Sequence, residues 1–336
     1  MNIVMKVLHS PIEIAGQMGM LCQGLKAQGV EAIAYNTFHS YLGYREYVFN
    51  MDIFELEWMF RDIVRHFDLF HFHYAATLLD GYADLPLLYK AGKPIVMHHW
   101  GNDVRTHALA TVNNRYAYTG DSPPEEVIDE RLQVMTRYIR HAIVQDHEVL
   151  PYVERYYEKV HVLPITMDVR KMKPYYPEPH TSNPLIIHAP TNPLFKGTAY
   201  VEEAIDQLRQ EGLLFRYRRI EKMSNKEALQ LYREADIVVD QILCGSYGML
   251  AVESMSLGKP VVGYIRADLV GRFPSPPPIC SANPSQVKER LRELITNASL
   301  RQAKGREGRR FAETYHDIRP VVRKLRAIYE EILREG

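Results

Sequence analysis

The stretch DIVVDQILCGSYGMLAVESMSLGKPVV, Asp236–Val262, decides the fold of this chain. It opens with an apolar run, Ile237–Val239, that is typical of a buried strand. A loop rich in small residues follows, and a helix is predicted to begin near Met249 and to stop at Gly258-Lys259-Pro260. A strand, a loop of small residues and a helix in this order form one unit of a parallel α/β sheet.

The loop of this stretch also predicts a binding site for an anion. Small residues such as Gly248 let backbone N–H groups approach a phosphate, and the dipole of the following helix favours negative charge at its start. Glu253 lies about one turn into that helix. Its carboxylate has two interpretations: it accepts hydrogen bonds from both hydroxyls of a ribose, or it only complements the helix dipole.

The same alternation of strands and helices extends along the chain in two series. Predicted strands lie at Ile3–Leu8, Val30–Tyr35, Leu69–His73, Pro94–His98, Ala142–Gln145 and Lys159–Leu163, and then at Leu185–His188, Leu213–Tyr217, Ile237–Val239 and Pro260–Tyr264. Between the series, the prolines of residues 171–184 exclude a helix. We therefore predict an α/β protein of two doubly wound parallel-sheet domains facing each other across a cleft, residues 1–170 and 185–312, joined by a linker at 171–184.

Composition narrows the class of protein. Of 336 residues, 46% are apolar and 24% charged, which excludes a disordered or fibrous chain. Residues 1–170 contain 15 Lys and Arg against 21 Asp and Glu, so the second half is the basic one and the better candidate for an anionic ligand. No basic stripe with interleaved aromatic residues predicts nucleic-acid binding.

The compartment is also constrained by the sequence. Three widely spaced cysteines exclude a disulfide framework and a zinc ribbon. The N-terminal residues do not form a signal peptide, and no apolar run approaches the about 20 residues of a membrane span. We expect a soluble, cytoplasmic protein. Peripheral membrane contact is possible but not indicated, since no basic amphipathic helix is evident in the first half.

Missing signatures exclude several enzyme classes. A GxGxxG after the first strand, a GxxxxGK[ST], a GxSxG and an HExxH are all absent, which disfavours nicotinamide enzymes, P-loop NTPases and the commonest hydrolases. No Asp-x-Asp pair follows a strand to hold a divalent metal with a diphosphate. If a diphosphate binds, protein donors must neutralise it.

Three further loops that follow predicted strands contain polar side chains or glycine. Lys196, in APTNPLFKGT, is either a point charge for phosphate or a solvated surface lysine. Gly16, in PIEIAGQMG, either brings backbone amides to the cleft or only makes a turn. The segment HHWGNDVR, His98–Arg105, is a plausible polar wall for a hydroxylated substrate. His71 and His73 could add metal ligands, but no spacing requires a metal, and we interpret both as hydrogen-bonded histidines at a strand end.

Together these segments resemble the retaining glycosyltransferases of family 4, which have the GT-B fold. The resemblance rests on Leu231–Val262, FKGT, HHWGNDVR, VHVLPITMD at Val160–Asp168 and the C-terminal FAETYHDIRPVVRKLRAIYEEIL. It implies two Rossmann-like domains, with a nucleotide-diphosphate sugar on the second and the acceptor, a glycan or glycoconjugate, mainly on the first. It also implies that a C-terminal helix, about 313–336, packs back on the first domain, and that no metal or other cofactor is required.

The resemblance assigns roles to single residues. Glu253 matches the glutamate that binds the nucleotide ribose, Lys196 matches the lysine that contacts the diphosphate, and Gly16 matches the glycine after the first strand. The amides beside the phosphate match Tyr247, Gly248, Met249 and Leu250. His99 matches a histidine that orients the donor sugar, with His98 as the alternative, and Asp103 matches the acid of the same motif. The implied catalytic residues are therefore His99, Asp103 and Lys196.

Two departures from the family pattern leave alternatives open. A glutamate that contacts the donor sugar is Gly245 here, and an arginine that helps to neutralise the diphosphate is Thr191; Asp240 or Asn192 could compensate in part. The leading hypothesis is a retaining, metal-independent glycosyltransferase acting in polysaccharide biosynthesis. The alternative is a non-catalytic nucleotide-sugar-binding protein of the same fold, and a nucleotide-sugar epimerase is disfavoured because the linker and C-terminal segments resemble transferases more closely.

Overall fold

The computed structural model describes residues 4–335, whose strands form two separate parallel sheets. The first sheet contains β1 (Lys6–Ser10), β2 (Glu31–Asn36), β3 (Val48–Asn50), β4 (Leu69–His73), β5 (Ile95–His99), β6 (His141–Val144) and β7 (Lys159–Val162). The second contains β8 (Leu185–His188), β9 (Arg216–Arg219), β10 (Ile237–Val239), β11 (Val261–Gly263) and β12 (Cys280–Ser281). The central strands are buried throughout, which explains their near-continuous apolar sequence.

Helices connect the strands and cover both faces of each sheet. In chain order they are α1 (Gln17–Lys26), α2 (Ile53–His66), α3 (Leu85–Lys90), α4 (His107–Val112), α5 (Glu125–Met135), α6 (Leu150–Val153), α7 (Pro193–Lys196), α8 (Thr198–Gln210), α9 (Asn225–Glu234), α10 (Met249–Ser256), α11 (Ala267–Val270), α12 (Val287–Thr296), α13 (Ala298–Phe311) and α14 (Ile318–Glu335). Asp52 and Ser224 form capping boxes at the starts of α2 and α9. Within residues 4–335, no helix combines the length and apolar character needed to cross a membrane.

The strand order determines where a ligand can bind. The first sheet runs β3-β2-β1-β4-β5-β6-β7 and the second β12-β11-β10-β8-β9. The order reverses between β1 and β4 in the first sheet and between β8 and β10 in the second. Because ligands of open parallel sheets bind beyond the carboxyl ends of the strands at such a reversal, the loops after these four strands are the candidate positions.

The last helix belongs to the core of the first sheet. The buried side chains of α14 pack with α1 against one face of that sheet. Gly24 permits this contact, since a Cβ atom there would lie 2.5 Å from Val322. The predicted helix at 313–336 is regular only from Ile318, after a π-helical turn at Ala312–His316, and Gly336 lies outside the described residues.

The strand predictions differ from the structure mainly at the sheet edges. The first predicted strand began at Ile3, outside the described residues, and β1 starts at Lys6. The edge strands β3 and β12 were not predicted, and β9 lies later than predicted because an exposed edge strand accepts a polar sequence such as Arg216–Arg219. Residues 172–184 contain neither helix nor strand, and the division of the chain at the linker stays a prediction.

Candidate functional site

A cavity of about 380 Å³ lies between the two sheets, where α7 follows β8 and α10 follows β10. We call it the intersheet cavity. The first half of the chain contributes loop residues to its wall, and the second half contributes side chains of α7, α9 and α10. The lining includes Glu13, Ala15, Tyr44, Thr191, Lys196, Asn225, Met249, Leu250 and Glu253. Four residues singled out from the sequence, Lys196, Met249, Leu250 and Glu253, therefore share one cavity.

Glu253 presents a buried carboxyl group to this cavity. It lies in the second turn of α10, is 3% exposed, and accepts a hydrogen bond of 2.6 Å from Nδ2 of Asn225. Burial raises the pKa of Glu253 to about 7, and the nearby Asp240 carboxylate acts in the same direction. The group therefore changes its protonation state near neutral pH.

Lys196 is held by an internal carboxylate. Its Nζ lies 2.9 Å from Oδ1 of Asp240 and 2.7 Å from Oε1 of Gln241. The other oxygen of Asp240 accepts the backbone N–H of Gly248 at 2.8 Å. A Cβ atom on Gly248 would lie 3.2 Å from Nζ of Lys196, so a side chain there would crowd the pair. Asp240 thus accepts hydrogen bonds from both Lys196 and the N–H of Gly248, two groups that the family resemblance assigned to a diphosphate.

The next two amides of α10 remain open. The N–H groups of Met249 and Leu250 begin the helix, so they have no partner inside it, and none is provided elsewhere in residues 4–335. Both residues line the intersheet cavity. Tyr247 is buried, and its hydroxyl is bonded to Nε2 of His316 at 2.9 Å. The part of the predicted amide site that is available to a ligand is therefore Met249 and Leu250.

The start of α1 is also capped by a carboxylate. Glu13 accepts the N–H groups of Met18 at 3.2 Å and Gly19 at 3.0 Å, and burial raises its pKa to about 7. Gly16 has a φ of 78°, and a Cβ atom there would lie 2.8 Å from the Tyr44 ring. Gly16 therefore makes the turn and leaves room for Tyr44, which itself lines the cavity.

The expectation that His99 faces the cleft is wrong. Its ring is fully buried, with Nδ1 2.8 Å from Oδ2 of Asp103 and Nε2 2.9 Å from the hydroxyl of Tyr157. The second oxygen of Asp103 accepts the N–H groups of Trp100 and Gly101. Both ring nitrogens of His99 are satisfied by the protein, so His99 and Asp103 brace the loop after β5 and do not reach the intersheet cavity.

His98 points to the opposite face of β5, because side chains alternate along a strand. There it ends a buried chain of hydrogen-bonded rings on the side covered by α14. The chain runs in order through Trp100, His73, His9, Tyr329, His71 and His98. Burial lowers the pKa of the ring histidines, to about 3 for His9, so they are neutral.

Because the histidine rings are neutral, only one arrangement of protons satisfies the hydrogen bonds of this chain. Trp100 can only donate, so Nδ1 of His73 accepts and Nε2 of His73 must donate to His9. By the same logic, Nε2 of His9 donates to the Tyr329 hydroxyl and that hydroxyl donates to Nδ1 of His71. Nε2 of His71 then donates to Nδ1 of His98, which accepts. Nε2–H of His98 is then a buried donor without an acceptor in residues 4–335. This assignment of tautomers follows from the hydrogen-bond network.

The same cluster has the spacing of metal ligands. Ring nitrogens of His9, His71 and His73 lie within 4.8 Å of one another. The interpretation of His71 and His73 as hydrogen-bonded histidines at a strand end agrees with the structure, and the three rings are also close enough to share an ion.

Gly245 and Thr191, the two departures from the family pattern, have surroundings that the structure describes. Gly245 has a φ of 88°, and a Cβ atom there would lie 2.5 Å from Cγ of Arg266, so a glutamate does not fit. Thr191 lines the intersheet cavity as an uncharged residue. That Asp240 or Asn192 compensates in part stays a prediction: Asp240 contacts Lys196 and the N–H of Gly248, and the side chain of Asn192 caps α7.

Hydrogen bonds join the two halves of the chain around the cavity. The hydroxyl of Ser246 donates to Asp146 at 2.6 Å, and Asn114 donates to the carbonyl of Leu243 at 2.6 Å. The N–H of Asn225 donates to the carbonyl of Leu42 at 2.9 Å. These contacts join residues far apart in sequence, so the sequence gives no local signal for them.

Sequence reasoning missed several residues of the site. Tyr44 and Asn225 line the cavity but belong to no motif, and Glu13 lies in PIEIAGQMG, where only Gly16 was singled out. Only Glu13 had a usable signal, since an acid a few residues before a helix start is a common cap.

Comparison with known proteins supports the fold. No family model matches the chain. A curated relative, the uncharacterized glycosyltransferase MJ1178 of Methanocaldococcus jannaschii, is 29% identical over 118 residues. That match spans 33% of this chain and 32% of the relative, so it covers about a third of each.

Solved structures match over nearly the whole chain. Sucrose-phosphate synthase from Thermosynechococcus elongatus superposes with a TM-score of 0.64 at 13% identity, covering 99% of this chain and all of that one. Anabaena HepE in complex with UDP and glucose gives a TM-score of 0.64 at 14% identity, over 97% of this chain and all of HepE. The architecture of two Rossmann-like domains is therefore the GT-B fold.

Proposed function

We propose that this protein is a glycosyltransferase that moves a sugar from a nucleotide-diphosphate sugar to an acceptor hydroxyl. The observation on which the proposal rests is the intersheet cavity, which places Glu253, Lys196 and the open amides of Met249 and Leu250 around one space. The HepE structure, whose fold is similar, was solved with UDP and glucose. The curated relative, although matched over a third of its length, is also described as a glycosyltransferase.

The geometry suggests a division of roles. The two oxygens of Glu253 accept the hydroxyls of the ribose, and Lys196 with the amides of Met249 and Leu250 binds the diphosphate. These donors stabilise the negative charge that develops on the diphosphate as the sugar–phosphate bond breaks. To do so, Lys196 must exchange its contact with Asp240 for one with phosphate.

We further propose that the sugar is transferred with retention and without a metal ion. The acceptor hydroxyl then attacks from the face that the diphosphate leaves, and the leaving phosphate oxygen accepts the hydroxyl proton. The protein's part in this step is to hold the acceptor hydroxyl and the donor sugar within reach of each other and to exclude water.

The test is a thermal-shift panel of UDP-, GDP-, ADP- and dTDP-sugars, followed by turnover of whichever ligand binds. Binding to the folded state raises the melting temperature. We expect one nucleotide class to do so, and Glu253→Ala to abolish the shift. Glu57→Ala, at an exposed position of α2, is the matched control and keeps it. If no nucleotide sugar shifts the wild-type protein, the proposal is wrong.

A second candidate function is nucleotide-sugar binding without catalysis. It is favoured by the missing glutamate at Gly245 and by the neutralisation of Lys196 by Asp240. Saturable donor binding with neither donor hydrolysis nor transfer in an acceptor screen would identify this function.

A further inference from the structure

Helix α2 presents an exposed row of two aromatic and two cationic side chains. Phe54, Trp58, Arg61 and Arg65 are separated by four, three and four residues, so they share one face of the helix. The buried side chains of α2 are on the opposite face, where they pack into the core of the first sheet. We call the four exposed residues the α2 stripe.

The aromatic members of the α2 stripe are exposed to an unusual degree. Phe54 is 73% and Trp58 87% exposed, and among the large apolar side chains of residues 4–335 Trp58 is the most exposed. Phe49 of the edge strand β3 is also more than half exposed. It faces the same side of the sheet as α2, because its ring meets that of Tyr35, which packs on the core beneath this helix. A cluster of exposed aromatic rings bordered by charged residues is typical of an interaction surface.

The α2 stripe is complementary to its own reverse. Its order along the chain is aromatic, aromatic, cationic, cationic, and its spacing is symmetric about its midpoint. When a second α2 runs antiparallel, Phe54 of one copy meets Arg65 of the other, and Trp58 meets Arg61. An arginine over an aromatic ring is a favourable cation–π contact, and a two-fold axis produces each contact twice.

The acidic residues of α2 also fit an antiparallel copy. Glu55 is the neighbour of Phe54 in sequence, so it comes within reach of Arg65 of the second copy. The exposed side chain of Arg65 is 3.7 Å from Asp62 of its own helix, a surface contact that is easily exchanged. The antiparallel arrangement therefore places the acidic first turns of one helix over the cationic last turns of the other.

The charge of α2 disfavours an anionic lipid surface as the occupant. The helix contains Glu55, Glu57 and Asp62 against Arg61 and Arg65, and residues 1–170 have an excess of acidic residues. Helices that lie on anionic membranes are instead rich in Lys and Arg on their polar face. A second copy of this chain provides the matching charges.

The exposed rings are large enough for a weak dimer. An aromatic side chain buries about 150–250 Å², so the exposed parts of Phe49, Phe54 and Trp58 in two copies amount to roughly 650–1,100 Å². With the stems of the arginines, this area approaches the about 1,200 Å² at which specific interfaces begin. We therefore expect micromolar association and not an obligate dimer.

We propose that the α2 stripe is the interface of a symmetric dimer of this protein, formed by antiparallel packing of α2 on α2 of a second copy. Phe54 and Trp58 of each copy are covered by arginines of the other, and Phe49 extends the contact. The inference goes beyond the proposed function and does not depend on it, because none of these residues lines the intersheet cavity.

Sedimentation equilibrium of the full chain over a hundredfold range of concentration measures the association. We expect a monomer–dimer equilibrium for the wild type. Trp58→Ala should weaken it at least tenfold, because a central tryptophan is a typical anchor of an interface. Tyr89→Ala, at an exposed tyrosine of α3, is the matched control and should leave the Kd within twofold.

Charge reversal tests the antiparallel register. Glu55→Lys and Arg65→Glu each bring like charges together twice in the dimer, so each should weaken self-association about tenfold. An equimolar mixture of the two variants should restore association, because both contacts of the mixed dimer then join opposite charges. Glu55 also accepts the N–H of Asp52 in the capping box, but mixing cannot restore that lost bond. Restoration therefore reports the interface and not the stability of the helix.

A wild-type protein that stays monomeric throughout this range would overturn the inference, as would a dimer that Trp58→Ala leaves intact. A mixture of Glu55→Lys and Arg65→Glu that associates no better than either variant alone would refute the antiparallel register. Binding of the wild type to phosphatidylglycerol vesicles, lost in Trp58→Ala, would assign the α2 stripe to a lipid surface instead of a second copy.

Discussion

Glu13 and Glu253 face the same cavity from opposite halves of the chain, and burial raises the pKa of each to about 7. Lys196 is the cation beside them, and Asp240 already neutralises it. An anionic ligand therefore enters a site whose carboxyl groups must be at least partly protonated. We expect the affinity for a nucleotide diphosphate to increase as the pH falls from 8 to 6, which calorimetry at several pH values can measure. An affinity that instead falls over this range would contradict the arrangement.

Glu253→Gln separates the binding role of the carboxyl group from its effect on stability. The pKa of Glu253 in the folded protein lies above its ordinary value of 4.5, so ionisation lowers the free energy of unfolding as the pH rises from 4.5 through about 7. Glutamine keeps the acceptor for Asn225 and removes the buried charge. At pH 8 we expect the variant to unfold at higher urea, with a gain of up to about 3 kcal/mol.

At pH 8 the same variant should bind a nucleotide diphosphate more tightly than the wild type does, because glutamine resembles the protonated carboxyl group and no longer repels the phosphates. At pH 4 the stability gain should disappear, since the wild-type carboxyl group is then protonated in both the folded and the unfolded protein. Glu57→Gln, at an exposed position, is the control for the substitution itself. A variant that is no more stable than the wild type at pH 8 would show that burial of the ionised Glu253 carboxylate does not destabilise the protein.

Asp240→Asn tests whether the internal ion pair limits donor binding. Asparagine keeps an oxygen to accept the N–H of Gly248, but it no longer neutralises Lys196. Removing one negative charge near the phosphate should lower the Kd for a nucleotide diphosphate at least tenfold, because unit charges about 4 Å apart interact by about 4 kcal/mol at an effective dielectric constant of about 20. Calorimetric titration measures this change. Weaker binding in Asp240→Asn than in the wild type would mean that Asp240 orients Lys196 toward the ligand.

Single residues were predictable where their neighbours in sequence define the site. Lys196 and Glu253 belong to strand–loop–helix units, so their places at the carboxyl end of the second sheet followed from the local pattern. His99 was assigned wrongly because the choice between His98 and His99 depends on which face of β5 each residue occupies. Alternation along the strand separates the two histidines, but only the packed structure shows that Asp103 and Tyr157 enclose His99.

At the scale of elements, a carboxylate caps the N-terminus of each of two helices that begin at the intersheet cavity. Glu13 caps α1, and Asp240 takes the first amide at α10. In each case a carboxylate from the preceding loop satisfies N–H groups that a helix start leaves unpaired. Because α10 keeps the amides of Met249 and Leu250 open, it is the helix that still offers an anion site.

The contribution of α14 to the first sheet can be measured through Tyr329. Its hydroxyl accepts from His9 and donates to His71 in the buried chain of rings. Tyr329→Phe leaves a buried donor and a buried acceptor without partners, which should lower the free energy of unfolding by about 1–3 kcal/mol. Urea denaturation measures this change, with Tyr89→Phe at an exposed tyrosine as the control. Equal stability of the two variants would mean that the ring chain contributes nothing to folding.

Helices and central strands were predicted better than edge strands. The helix predicted to begin near Met249 and to stop at Gly258 agrees with α10 of the structure, because small residues before it and Gly258-Lys259-Pro260 after it are clear start and stop signals. The edge strands β3 and β12 contain only three and two residues, too short to show a period. Their pairing depends on the neighbouring strand and not on their own sequence.

For the molecule as a whole, two parallel sheets were predictable because every central strand is apolar and is followed by a helix. The relation between the sheets was not predictable from the residues alone. It depends on contacts such as Ser246 to Asp146 and Asn225 to Leu42, which join residues a hundred or more positions apart. The intersheet cavity follows from that relation, and for this reason Glu13 and Tyr44 were absent from the predicted site.

The most direct test of the account is a crystal structure of the protein with whichever nucleotide sugar gives the largest thermal shift. We predict that the ribose hydroxyls lie within hydrogen-bond distance of Glu253, and that the diphosphate contacts Nζ of Lys196 and the amides of Met249 and Leu250. Asp240 should then have lost its contact with Lys196. A ligand bound outside the intersheet cavity, or one whose phosphates avoid Lys196 and the start of α10, would contradict the account.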